Sequence, residues 1–267
     1  MDIREYLFNA GLQKGDNIIV HSSLRALKRA FPGLTIDSFI KNLQETITPE
    51  GSLVFPAFTY CFKKRNGESE VFNREFSPSK TGSVSDYFRT LPGVVRTSSP
   101  THSFAIWGSL CDFISYDNSP ESPLGYGSVL DLLAKTPRSF VFMAGTDFTS
   151  FSLGHYIEVI ANVPWKDFSP WSYLEVEESG ISVDGVTRLK EIPGCSKQFI
   201  QFENYLINNK FIKQDVINNN KFSVTPVDFL ITHGLRYFSE NHEKLLCPYG
   251  SCKACDARRH YLESIKR

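Results

Sequence analysis

Asp16-Asn-Ile-Ile-Val20-His21-Ser-Ser23, the segment from Thr35 to Ile47, and Ser52-Leu-Val-Phe-Pro-Ala-Phe58 together decide the fold. The first is a short apolar, β-branched run that reads as a buried strand, with His21-Ser-Ser23 as the polar turn at its end. Thr35-Ile-Asp-Ser opens a helix in which Ile36, Phe39, Ile40, Leu43 and Ile47 recur at helical spacing, and Pro49-Glu-Gly51 stops it. The third is the next strand. Strand, helix and strand in this order are the signature of βαβ units and a mostly parallel sheet.

Working outward, Asp2 to Ala10 reads as a short helix ended by Gly11, and residues 61–80 as a charged excursion over the surface. A helix is expected over Gly82 to Leu91, with Pro92-Gly93 as its breaker, then a strand over Ser103-Phe-Ala-Ile-Trp107. Ser128 to Lys135 is helical and leads into the strand Ser139-Phe-Val-Phe-Met-Ala144, which Gly145 ends. From about Trp171 the texture changes. Tyr173-Leu-Glu-Val-Glu177 and Gly185-Val-Thr-Arg-Leu-Lys-Glu-Ile192 alternate like antiparallel strands with polar outer faces. Phe199 to Asn208 and Asp228 to Asn241 read as helices, with a strand at Lys221-Phe-Ser-Val-Thr between them. The expected fold is α/β: a mostly parallel central sheet with flanking helices, a partly antiparallel second half and a small Cys-rich C-terminal tail. Residues 1–240 form one domain and 241–267 an extension.

With 267 residues and 22 Phe the chain has ample material for a core. Lys and Arg number 29 against 29 Asp and Glu, so bulk charge does not drive binding to nucleic acid or to a membrane surface. No stretch approaches the roughly twenty apolar residues of a membrane span. Met1-Asp-Ile-Arg-Glu-Tyr-Leu7 is already amphipathic, without a signal-peptide core, and six Cys with no export signal point to reduced thiols and a cytoplasmic location.

The chemistry begins after Gly145. A polar loop, Thr146 to Ser152, is followed by Leu153-Gly-His155-Tyr-Ile-Glu158-Val-Ile-Ala161, a helix that stacks His155 and Glu158 on one face. A carboxylate beside an imidazole holds the proton on one ring nitrogen and leaves the other free to take a proton from a nucleophile. Loops at the carboxyl ends of strands are where α/β folds assemble their sites. The same spacing also suits a solvated helix-surface pair.

Four segments in order resemble the aminoglycoside 3-N-acetyltransferase family: Val20-His-Ser-Ser-Leu-Arg25; Gly51-Ser-Leu-Val-Phe-Pro-Ala-Phe-Thr59; Phe88-Arg-Thr-Leu-Pro-Gly-Val-Val-Arg-Thr-Ser98 with Ser103-Phe-Ala-Ile-Trp-Gly108; and Gly145 to Trp165 with Val163-Pro-Trp165. They cover most of residues 18–168. The resemblance, taken as that of a branch acting on sugar amines, implies acetyl transfer from acetyl-CoA to an amine by direct attack, with His155 as general base and Glu158 orienting it. It also implies that the segment His21, Ser22, Ser23, Leu24 and Arg25 meets the CoA donor, as a source of hydroxyls and backbone N–H groups for the pantetheine arm or a developing oxyanion. A capped turn is the equal alternative for the serines. The family's Gly-Gly pair is replaced by Ala26-Leu-Lys-Arg-Ala-Phe-Pro-Gly33, so Lys28 and Arg29 either hold CoA instead or form a solvated basic turn. Ser99-Pro100 stands where the family tends to have His-Pro, with His102 two residues on, either a surface histidine or a substrate-side one. Beyond about residue 170 the resemblance fades.

Cys247-Pro-Tyr-Gly-Ser-Cys252-Lys-Ala-Cys255-Asp-Ala-Arg-Arg-His260 is the second notable stretch. Cys247, Cys252, Cys255 and His260 can supply a tetrahedral Cys₃His zinc shell, with His242 as a rival fourth ligand. The Cys-x₄-Cys-x₂-Cys spacing also suits iron–sulfur ligation, for which Cys61, Cys111 or Cys195 would have to fold back. Free thiols are the remaining reading. The tail would shape a substrate pocket or an oligomer contact, making a homodimer a further expectation.

Polycationic aminoglycosides call for an acidic cleft, and this chain has no acidic excess. The expected acceptor is therefore an amino sugar, nucleotide-linked and serving surface-polysaccharide biosynthesis. Aminoglycoside modification is the runner-up, and a non-catalytic, zinc-stabilised binding subunit the reading from another class.

Overall fold

The computed structural model describes residues 1–114, 120–190 and 193–265. In chain order its elements are α1 (Ile3–Asn9), β1 (Asn17–Ser22), α2 (Leu24–Ala30), α3 (Ile36–Ile47), β2 (Ser52–Pro56), β3 (Phe62–Lys64), α4 (Ser83–Phe88), β4 (Val95–Arg96), β5 (Phe104–Gly108) and α5 (Val129–Lys135). There follow β6 (Ser139–Ala144), α6 (Leu153–Ile160), β7 (Val176–Ser182), β8 (Gly185–Arg188), α7 (Ile200–Asn208), β9 (Asp215–Ile217), β10 (Asn220–Pro226), α8 (Val227–Asn241) and α9 (Lys253–Ile265).

Seven strands form the central sheet in the order β4-β5-β2-β1-β6-β10-β9. Its parallel part is the inner trio: β1 pairs with β2 from Asn17↔Ser52, and with β6 from Asn17↔Ser139 to Ser22↔Ala144. The outer strands all join antiparallel, including β5 on β2 and β10 on β6. The carboxyl ends of β1, β2 and β6 therefore open on the same side.

Alternation along the inner strands separates two apolar cores. Ile18, Val20, Leu53, Phe55, Phe142 and Ala144 face α1, α2 and α3, whereas Ile19, Val54, Val141 and Met143 face α5, α6 and α8. Helix α3 forms where its pattern says it should. Thr35 and Ser38 cap each other reciprocally, and Phe39, Ile40, Leu43 and Ile47 are all at most 1% exposed. Gly51 then lets β2 approach β1 closely, since a Cβ there would stand 2.2 Å from the Asp16 carbonyl oxygen.

A second sheet, β3-β7-β8, is antiparallel throughout and lies outside the main one. It corrects two expectations. Residues 61–80 are not merely a surface excursion: they contribute β3 and the buried Phe72. Three strand residues with an irregular register are too few to show alternation in sequence. The strand expected from Tyr173 begins only at Val176, because Glu175 takes a left-handed conformation with φ 54° after a 3₁₀ turn. Its partner runs over Gly185–Arg188, and Glu191 and Ile192 of the expected strand lie outside the described residues. Helices α2 and α9 and strands β4 and β9 add to the expected elements. Among the described residues no helix is long and apolar enough to cross a membrane.

Candidate active site

The carboxyl ends of the three parallel strands converge on a cleft of about 860 Å³. Val20, His21 and Ser22 reach it from β1, Pro56 from the end of β2 and Phe58 from just beyond it, and residues 149–152 with His155 from the segment after β6. Gly145 makes the exit from β6 possible: its φ is +75°, and a Cβ would stand 2.4 Å from the Cβ of Ala26 on α2. The small sheet adds Phe62, Lys64 and Val176 to the wall.

Helix α6 is eight residues long, and its first six are buried, among them both polar ones. His155 Nδ1 and Glu158 Oε2 are 2.8 Å apart. Because an ionised carboxylate only accepts, the ring proton sits on Nδ1 and the Nε2 lone pair is left for the cleft. Phe199 packs edge-on against the imidazole at 5.0 Å. Gly154 leaves room for that ring, since a Cβ there would meet it at 2.6 Å.

The other carboxylate oxygen is equally occupied. Glu158 Oε1 accepts from Trp165 Nε1 at 3.0 Å and from Arg258 Nη1 at 3.1 Å. Burial alone would raise this carboxyl, but the Arg258 charge, the His155 hydrogen bond and charge, and the Trp165 N–H outweigh it and hold it below the usual 4.5. Arg258 is fully buried, lies over the Trp165 ring at 5.3 Å, and belongs to α9, a hundred residues away in sequence. Glu158 is thus a fixed anion, and His155 an oriented base.

Two more imidazoles line the cleft. His102 is buried, not on the surface; it hydrogen-bonds Thr101 Oγ1 through Nδ1 at 2.9 Å. Burial, with the charge of His155 added, lowers it to about 3, so it is neutral at neutral pH. His21 is also lowered to about 3 by burial, and its Nε2 has no hydrogen-bond partner among the described residues.

The segment after β1 divides. His21 and Ser22 line the cleft, whereas the Ser23 hydroxyl caps α2 by accepting from Ala26 N at 3.3 Å. Leu24 packs partly buried on the far core, and Arg25, Lys28 and Arg29 are all exposed and outside the cleft lining. Sequence reading also missed the two donors that complete Glu158. Trp165 stood at the end of the Val163-Pro-Trp165 motif with no role attached. Arg258 sat among the tail cysteines, where nothing marked it.

The tail thiols do gather, with a different fourth member. Cys195, Cys247, Cys252 and Cys255 hold their sulfurs within 4.8 Å of one another. His260 is outside this group, exposed and near the Tyr249 ring at 6.2 Å. His242 lies against Trp165 instead.

The family model of the aminoglycoside 3-N-acetyltransferases matches residues 19–239. The chain belongs to this family. The prophage-derived aminoglycoside N(3')-acetyltransferase-like protein YokD of Bacillus subtilis (strain 168) is 29% identical over 174 residues, 58% of this chain and 63% of that protein. The aligned part therefore spans a little under two thirds of that relative. Among solved structures, the apoenzyme of aminoglycoside acetyltransferase AAC(3)-IVa superposes with a TM-score of 0.76 at 23% identity, over 96% of this chain and 95% of that one. AAC-IIIb in binary complex with CoASH gives 0.73 at 19% identity, over 89% and 94%. Both likenesses establish the shared fold, including the segments beyond residue 170 where sequence resemblance fades.

Proposed function

We propose that the chain transfers an acetyl group from acetyl-CoA to an amino group of an aminoglycoside. The observation that carries this reading is the buried His155–Glu158 pair opening on a cleft whose size suits a small-molecule complex. An ammonium has no lone pair for attack, so a base that removes its proton directly raises the reactive fraction. The amine nitrogen bonds to the thioester carbonyl carbon, His155 Nε2 takes the amine proton, and Glu158 stabilises the imidazolium. The C–S bond then breaks, and the proton passes to the departing CoA thiolate. Ser22 at the end of β1 and the neutral His102 are the nearby donors for the carbonyl oxygen as it gains charge. Family membership, and the names of relatives that act on aminoglycosides or bind CoASH, support the donor and the acceptor class.

A second reading, an amino sugar linked to a nucleotide, has one observation in its favour. The charged residues lining the cleft are Lys64, Lys80 and Lys197 against Glu70, and Glu70 is already paired to Lys80. Such a wall suits phosphates better than a polycation. Aminoglycoside acceptors take precedence because the CoA phosphates account for the same lysines.

Release of free CoA thiol from acetyl-CoA, followed with aminoglycosides bearing a free 3-amino group and with nucleotide-linked amino sugars, tests both. Turnover of aminoglycosides, abolished when the 3-amino group is blocked, is expected. Silence with every aminoglycoside beside efficient use of a nucleotide-linked sugar would replace the first reading by the second.

A further inference from the structure

Cys195 comes from the loop before α7, Cys247 from the turn after α8, Cys252 from the residue just before α9 and Cys255 from its first turn. All four are free thiols, and the Cys195 and Cys247 sulfurs are 3.7 Å apart. Four thiolates around one ion at a Zn–S distance of about 2.3 Å stand about 3.8 Å from each other. The observed spacing is that of a shell around a single metal atom. A cluster of two or more irons would have to force the same sulfurs further apart. Four sulfur ligands leave no open position, so the chemistry is that of a closed, structural site.

The position of this group gives it a second meaning. Cys255 and Arg258 are three residues apart on α9 and share its buried face. Arg258 carries the guanidinium that reaches Glu158 Oε1. On its other side the guanidinium rests against Gly194, where a Cβ would stand 2.3 Å from Cζ, and Gly194 precedes Cys195. Both walls of the Arg258 slot are therefore tethered to the thiol group.

We propose that Cys195, Cys247, Cys252 and Cys255 bind one tetrahedral zinc ion, which locks α9 to the 193–197 loop and so seats Arg258 on Glu158. The metal site stands on the four sulfurs alone; its catalytic consequence rests on the reading of His155–Glu158 as the reacting pair. Arg258 is a positioning residue, and zinc acts through it.

The test uses the full chain as purified. Elemental analysis should find about one zinc per chain with negligible iron, and cobalt(II) in its place should give the visible absorption of a tetrahedral thiolate site. Cys247→Ser should lose the metal, while Cys247→His, which keeps a ligand, should retain it and remain folded. Absence of zinc, or iron in its stead, overturns the site. The Trp165 indole N–H donates to the same Glu158 oxygen as Arg258, so its NMR resonance reports the coupling without any acceptor. Stripping zinc with a chelator and the Arg258→Met change should move that resonance in the same direction. An unmoved resonance in folded, zinc-free protein overturns the coupling. In turnover, each change should lower kcat about 10- to 100-fold with the KM for acetyl-CoA nearly constant, and their combination should not multiply the loss. Multiplying losses would make the metal independent of Arg258. Zinc content and the indole signal are read without an amine, so a failure of acetyl transfer leaves the metal site and its coupling standing or falling on their own.

Discussion

The two faces of the central sheet are built from the same strands and on opposite principles. The face covered by α1 and α3 is closed by aliphatic and aromatic packing, with Leu43 and Ile47 wholly buried and the Tyr6, Phe31 and Phe222 rings in contact at 5.5–6.2 Å. The face covered by α5, α6 and α8 carries the larger apolar cluster, yet it also takes in Glu158, Arg258, His155 and four thiols. The first face tolerates error, because apolar contacts are many and individually small. The second depends on a few charged pairings in which the loss of one partner leaves the other buried and unpaired.

The largest expected break in this symmetry is His155→Ala. Turnover should fall by about 10²- to 10⁴-fold while acetyl-CoA binding by calorimetry survives. Unchanged turnover would take the role of general base away from His155. Next is Glu158→Gln, which removes the charge that meets Arg258, and whose denaturation midpoint should report a loss of about 3–5 kcal/mol. The same carboxylate sets an acid limit. Its folded value lies below the usual 4.5, so the stability it contributes is full above that value and is lost as pH falls through the depressed one. Denaturation of the wild-type chain should therefore steepen below about pH 4.5, and Glu158→Gln should flatten that part of the curve. On the opposite face Leu43→Ala should cost about 2–5 kcal/mol of stability yet leave kcat per folded molecule unaltered. A drop in kcat there would mean that the two faces are mechanically coupled. The smallest effect belongs to Ser23→Ala: about 1 kcal/mol from the lost cap of α2, with the acetyl-CoA Kd essentially constant. A tenfold rise in Kd would return Ser23 to the donor site.

How much is legible in the sequence follows the same division. Helix α3 and the strands around it announce themselves because helical spacing and β-branched runs are local signals, and the observed elements match them to within two residues, with His21 and Ser22 continuing β1 where a turn is expected. The His155–Glu158 contact is visible for the same reason, being three residues apart on one helix. The rest of the site is assembled over distance. Trp165, Arg258 and Cys195 matter only through partners that the chain's return path delivers, and nothing in their neighbours' identities encodes this. His260 looks like the fourth ligand because it is near in sequence; Cys195 takes its place because the loop before α7 folds back across the tail. Lys28 and Arg29 suggest a cofactor role by charge alone, and charge does not say which way a helix turns.

The ion pair between Glu158 and Arg258 also sets an order in time. At roughly 5–20 residues per second, the hundred residues between them take roughly 5–20 s to make. Throughout that interval α6 and its histidine exist on the ribosome without the cation that lets the carboxylate stay charged in a dry interior. The nascent segment must keep Glu158 wet or protonated, and the face of the sheet that bears it must close last.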